Sequence, residues 1–338
     1  MGRVSSGMSR TGKSMAKVFW SRRLLQAGIV LVFISLASFF IINAAPGDPA
    51  LALYGDQAQT LTASERARIN SAYGVDKPVV VRYMKWLGNV LHGDLGVSYK
   101  EGETVTSIIS DHLVNSLYIF FGAVGLIVII SLSAAWMAAA GNGRKGGLFF
   151  SVYSVVSCSI PPFWLGMLLI FLFSLTLGWL PTAGIGALDD SGGMISRLPY
   201  LIMPVLTIVL THAGLYARFI LERVYEEKNA YHVKAALANG VPMRRVAAGI
   251  VRNASIPWLN YLGVTIPGFF GGSVVIETLF AWPGIGMLAV NAAVSHDYPV
   301  LMGTILIAGT LVTLCILVVD VIMYILDPRI RLGETSIC

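Results

Sequence analysis

The chain has 338 residues, of which 56 % are hydrophobic and 12 % charged, with a formal net charge of +6. That balance is far too apolar for a soluble domain of this length. Its basic surplus is accounted for by membrane topology, so no nucleic-acid partner is expected. Cys158 and Cys315 fall in apolar runs and Cys338 is the last residue, which gives neither a disulfide framework nor metal-ligand spacing.

A bilayer core about 30 Å thick needs about 20 apolar residues per helical crossing. Six runs qualify, near 24–42, 114–140, 158–180, 200–221, 255–280 and 300–326. They are too long for barrel strands, which need only about 10 residues, so the pattern predicts an all-α, polytopic membrane protein. The first 23 residues hold Arg3, Arg10, Lys13, Lys17, Arg22 and Arg23 and no acid. Placing them in the cytoplasm also puts 141–147, 222–253 and the C-terminal tail inside. The short opposite loops, 181–199 and 281–299, then hold Arg197 as their one basic residue. Basic residues favour the cytoplasmic side, so both termini are expected there. The domain reading is a basic tail (1–23), span 1 (24–42), an extracytoplasmic helical region (43–113), a transmembrane domain (114–326) and a cytoplasmic tail (327–338).

Within the basic tail, "GMSRTGKS" (7–14) fits the phosphate-loop pattern, and "ILVVD" (316–320) and "SGG" (191–193) imitate further ATPase parts. A phosphate loop needs a buried strand before it and a helix N-terminus after it. Only six residues, "MGRVSS", precede Gly7, and the other two pieces fall in a span and an external loop. The match is judged spurious; the tail's basic residues fix topology and meet anionic lipid. Span 1 ends in "NAAPG", but its apolar run exceeds a signal-peptide core, so it is read as uncleaved.

After span 1, Thr62 and Glu65 form a capping box for a helix over 62–74, stopped by Gly74. Residues 77–96 place Val80, Tyr83, Trp86, Leu87, Val90 and Leu91 on one face. Such an external helix would cap the bundle, lie in the interface or receive a partner. Pro161–Pro162 predicts a break in the third crossing, with the preceding segment tilted or near the inner interface. Span 5 carries Gly263, Pro267, Gly268, Gly271 and Gly272, which permit either tight helix packing or a bendable helix lining a pathway.

Between spans 4 and 5 runs "LERVYEEKNAYHVKAALANGVPMRRVAAGIVRNASIPWLNYLG" (221–263). Gly240 is expected at a left-handed helix stop and Pro242 at the next helix start. The result would be two helices around a sharp turn, with Ala235, Ala236 and Ala238 offering little bulk beside Arg244 and Arg245. In the spans, Glu277 suggests an external gate or a structural pairing, and Asp320 a pairing with Arg218. The rival class, an intramembrane enzyme, would use "GGSV" around Ser273, but His212, His232 and His296 lack metal spacing. A passive channel would leave the cytoplasmic loop unexplained.

"KAALANG" resembles the A-x-x-x-G core of the EAA loop of ABC-importer permeases. "APGDPALALYG", "GDLGVSY", "IPPFWLGMLLIFLFS", "GWLPTAG", "ETLFAWPGIGMLAVNA" and "LDPRIR" resemble the dipeptide/oligopeptide/nickel branch, and the external region resembles the first permease of its pair. The resemblance runs from about residue 20 to residue 331. It implies a type I importer permease fold in the bacterial inner membrane, with a helical insertion after span 1. The implied partners are a second, similar permease, two cytoplasmic ATPase subunits and an extracytoplasmic solute-binding protein. ATP and Mg would be bound by the ATPase subunits and no cofactor by this chain. Ala235, Ala236 and Gly240 would belong to the coupling helix, flanked by Arg244 and Arg245. Lys234 stands where the EAA loop has Glu. The cargo implied is di- or oligopeptide, with nickel or another metal chelate as the alternative.

Overall fold

The computed structural model describes residues 4–44, 49–72, 76–141, 144–186 and 193–326. Among these residues the chain is helical, with no strand beyond one isolated bridge between Val97 and Thr104. A long α1 (Val4–Ala44) is followed by α2 (Pro49–Tyr54), a 3₁₀ turn, α3 (Ala63–Ala72) and the amphipathic α4 (Val79–Leu91). Then come α5 (Val105–Ala140), α6 (Arg144–Ser159) and α7 (Pro162–Leu169), the last running into a π-helical segment, Ile170–Thr176. The chain continues through α8 (Gly193–Lys228), α9 (Tyr231–Ala238), α10 (Met243–Leu279), α11 (Ile285–Val294) and α12 (Tyr298–Leu326).

Trp20–Ala44, Val105–Ala140, Ile195–Lys228 and Tyr298–Leu326 are each long and apolar enough to cross a bilayer. Two bent pairs bring the number to six when each is counted as one span. Gly146–Ser159 meets Pro162–Thr176 at 97°, and Met243–Thr265 meets Gly268–Leu279 at 55°. Prolines lack the N–H that would continue the ladder, and both breaks sit at them, Pro161–Pro162 in one and Pro267 in the other.

α6 ends at the break expected in the third crossing. It runs lengthwise against α8, antiparallel, with Gly147 beside Tyr225 and Ser154 beside Gly214. Tyr153 Oη donates to the Leu210 carbonyl at 2.7 Å. Glycine makes the approach possible, because a methyl on Gly214 would lie 2.9 Å from the Ser154 Cα.

The chain divides into two compact units: one holds Leu117–Gly272 and α12 from Cys315 onward, the other Trp20–Ser116 and Ser273–Leu314. The first is organised around α8, whose Tyr216, Ala217, Ile220 and Val224 are buried. Gly263 of α10 touches Val319 of α12 so closely that any side chain would collide.

In the second unit, α4 covers α1. Tyr83 is buried against Phe39 and Ile42, with Met302 of α12, and its hydroxyl lies 3.0 Å from Ser35 Oγ. Trp86 and Leu87 pack on the same cluster, so one face of this helix caps α1 and the start of α12. The expected apolar face is shifted: Val79 joins the contact, while Val80 and Leu91 are exposed. The capping box at α3 forms, with Thr62 N donating to Glu65 Oε2 at 2.9 Å and Glu65 N to Thr62 Oγ1 at 3.3 Å. The expected stop at Gly74 lies outside the described residues.

Candidate functional site

The elbow between α9 and α10 is built by backbone chemistry. Gly240 has φ +74°, the left-handed region that favours glycine. Its N–H donates to Leu237 O at 3.0 Å and that of Val241 to Ala236 O at 3.1 Å. These two bonds are the Schellman pattern, which satisfies the last carbonyls of α9. Pro242 then opens α10, its carbonyl accepting from Arg245 N at 2.9 Å and Val246 N at 3.2 Å.

The elbow is anchored by side chains that the sequence alone did not single out. Glu227 Oε1, near the end of α8, accepts from Asn253 Nδ2 of α10 at 2.6 Å and lies 3.0 Å from His232 Nε2 of α9. One carboxylate therefore ties three helices. Next to it, Lys228 Nζ donates to the carbonyls of Ala138 (2.9 Å) and Gly141 (2.7 Å). A cation there suits the negative end of α5.

The inner side of α9 is fixed by buried Val233, and its outer side is open. Ala235, Gly240, Arg244 and Arg245 are exposed and Ala236 is partly so. Tyr231 is 90 % exposed, and Leu237 and Met243 are also exposed. Lys234 Nζ sits 5.7 Å from the centre of the Tyr231 ring. The elbow thus presents an apolar, low-bulk surface rimmed by cations, and among the described residues nothing covers it.

The second constellation surrounds Glu277. Its side chain has no solvent exposure. Ser116 Oγ of α5 donates to Oε1 at 2.7 Å, and Met287 N of α11 donates to Oε2 at 3.0 Å. Ser116 Oγ in turn accepts from Ile285 N at 2.8 Å. Asn115 Nδ2 donates to Pro283 O at 3.0 Å, and Trp282 Nε1 to Asn115 O at 2.9 Å. Gly284 and Gly286 lie against the carboxylate, where a methyl on either would collide with it. The partners of this buried acid are therefore hydroxyls and backbone amides, from Ser116, Ser273, Gly286 and Met287. It straps the 280–287 segment to α5 and α10.

The remaining residues fall apart as a set. Gly268, Gly271 and Gly272 are exposed, and a methyl on any would meet nothing within 4 Å. Within this chain, tight packing is seen at Gly263 and not at these three. Of Pro267, the structure gives its place in the helix at the 55° bend. The Arg218–Asp320 pairing is also corrected: Arg218 Nε bonds Glu222 Oε1 at 2.9 Å, one turn along its own helix. An i,i+4 pair is within easy reach, and both side chains are about half exposed. Asp320 lies on α12 next to the Val319–Gly263 contact.

The comparisons settle the class of molecule. The family described as "Binding-protein-dependent transport system inner membrane component" matches residues 127–332, and its N-terminal companion, described as "Binding-prot-dependent transport system membrane comp, N-term", matches 15–119. The chain belongs to this family. The permease is 33 % identical to the oligopeptide transport system permease protein AppB of Bacillus subtilis over 312 residues, 92 % of this chain and 98 % of that one. It is 32 % identical to the oligopeptide transport system permease protein OppB of Salmonella typhimurium, over 93 % and 99 % of the two chains. A putative peptide permease of Brucella ovis is 30 % identical over 92 % and 97 %. The protein is a multi-pass inner-membrane permease subunit of a binding-protein-dependent ABC transport system.

Proposed function

We propose that this permease forms one half of a translocation pathway for di- or oligopeptides, and that ATPase subunits drive it through the α9–α10 elbow. The observation that carries the reading is the elbow itself, a Schellman-turned, solvent-exposed corner with Ala235 and Gly240 bare at its tip. A coupling surface has to be stiff to pass on a two-state bias. Stiffness here is supported by the Glu227 tie across α8, α9 and α10. The peptide assignment is supported by the names of the AppB and OppB relatives. Nickel or another chelate is the alternative cargo.

In this reading both termini and the elbow face the cytoplasm, as the distribution of Lys and Arg favours. A second permease pairs with this one, two ATPase subunits bind ATP and Mg, and a solute-binding protein delivers cargo on the other side. The phosphate-loop look-alike at 7–14 takes no nucleotide. That reading is supported by α1, which is helical across those residues. A helix commits its N–H groups to carbonyls four residues back, so they cannot cradle a phosphate. The open glycine face at Gly268, Gly271 and Gly272, with the bend at Pro267, lines the pathway. Glu277 holds the 280–287 segment as part of an external gate.

The test is uptake of labelled peptide by cells or proteoliposomes carrying the complete transporter. Gly240→Leu abolishes uptake while membrane insertion stays intact. Gly240→Ala bears the same backbone strain, about 1–2 kcal/mol for a left-handed residue, but adds little bulk and retains substantial uptake. Wild-type uptake by Gly240→Leu would refute the docking role of the elbow. Binding of a nickel complex in place of peptide by the cognate solute-binding protein would reassign the cargo.

A further inference from the structure

Away from the elbow and the Glu277 strap, the second unit holds a cavity of about 380 Å³ between the end of α1, α4, the 95–99 loop and the start of α12. Its floor is apolar, with Phe39, Ile42, Trp86 and Met302 among the walls. Lys77, Arg82 and Lys85 also line it, and none of its described lining residues is acidic. These three cations form no ion pair among the described residues. Arg82 is half-buried, and a charge withdrawn from water without a counter-ion is costly. Among the described residues the site therefore sets cations of one sign beside apolar walls.

The surroundings select the kind of anion. Phe40 and Ile41 are exposed at the end of the first crossing, and Val80, Val81 and Met84 are exposed on α4. Val80 and Met84 are 63 % exposed each. Exposed apolar residues on a helix seated at the end of a crossing, with cations beside them, are the signature of a segment lying in the lipid interface. A soluble anion would use the cations and leave the apolar floor unfilled. An amphiphile uses both.

We propose that this cavity is a binding site for an anionic phospholipid. Its phosphate headgroup would be held by Lys77, Arg82 and Lys85, and the upper part of its acyl chains would lie on Phe39, Ile42 and Trp86. The bound lipid fills the wedge between α1 and α4 and so stabilises the insertion on the bundle. The inference concerns neither the cargo nor the elbow, and it stands whichever way the first crossing is oriented.

The complete transporter is reconstituted in nanodiscs of phosphatidylglycerol and phosphatidylcholine in equal amounts, then released in mild detergent. Retained lipids are counted by native mass spectrometry. Phosphatidylglycerol is retained in preference to phosphatidylcholine, and Arg82→Gln/Lys85→Gln lowers that retention by about tenfold. Phosphatidylcholine retention is unchanged. Lys85→Gln alone, at an exposed position, gives a smaller loss and serves if the double variant fails to assemble. Equal retention of the two lipids, or equal retention by variant and wild type, overturns the proposal. Displacement of phosphatidylglycerol by millimolar inorganic phosphate reassigns the site to a soluble anion and also overturns it. So does a photo-crosslinker at position 85 that captures an acidic segment of another subunit instead of lipid.

Discussion

At the scale of single residues, three glycines do different work that their identity alone does not distinguish. Gly240 is needed for its backbone, since φ +74° is strained for any other residue and the space around it is empty. Gly284 and Gly286 are needed for the room they leave, because the Glu277 carboxylate occupies the place of their side chains. Gly284→Ala forces the carboxylate off Ser116 and destabilises the purified transporter by about 1–3 kcal/mol, read as a lowered thermal midpoint. A midpoint equal to wild type would mean that the strap is looser than the contacts indicate.

At the scale of elements, the elbow behaves as a unit because α8, α9 and α10 share Glu227. Glu227→Ala should leave the helices formed and the ATPase subunits bound, while lowering the peptide transported per ATP hydrolysed. Paired measurement of uptake and hydrolysis in proteoliposomes checks this, and an unchanged ratio would count against the stiffness argument. The cap of α3 gives a pH dependence with a definite sign. Hydrogen bonds from the Thr62 side chain and backbone hold the Glu65 carboxyl below its usual pKa of 4.5. A depressed carboxylate contributes stability above its unfolded pKa and loses it as pH falls through the folded one. Amide protection across 63–72, corrected for intrinsic exchange, should therefore weaken on acidification below 4.5. Thr62→Ala removes most of that dependence.

For the whole molecule, counting each bent pair as one span gives six passes, an even number that would put both chain ends on one side. Cysteine labelling of intact cells, with one cysteine introduced at a time, should leave position 241 in the elbow protected from a membrane-impermeant reagent. Positions 93 and 184 should react. Labelling of the elbow from outside would invert the topology and remove the ATPase from its reach.

The hydropathy runs, the break at Pro161–Pro162, the Thr62–Glu65 box and the Gly240 stop were all legible from residue order. Each depends on neighbours within a few positions along the chain, where helix geometry and proline and glycine chemistry act directly. The sequence also carried the family motifs, and with them the elbow. It did not reveal that Arg218 would prefer Glu222 to Asp320, because both choices satisfy the same charge rule. Nor could it show that α6 stands against α8, that Glu227 joins three helices, or that Ser116 and Met287 meet Glu277. Those partners sit on different helices, and only the packing of helices decides which side chains come within a hydrogen bond. The basic cavity beside α4 belongs to the same class: its cations are ordinary surface residues in the sequence, and line a cavity only when α1 and α12 close around them.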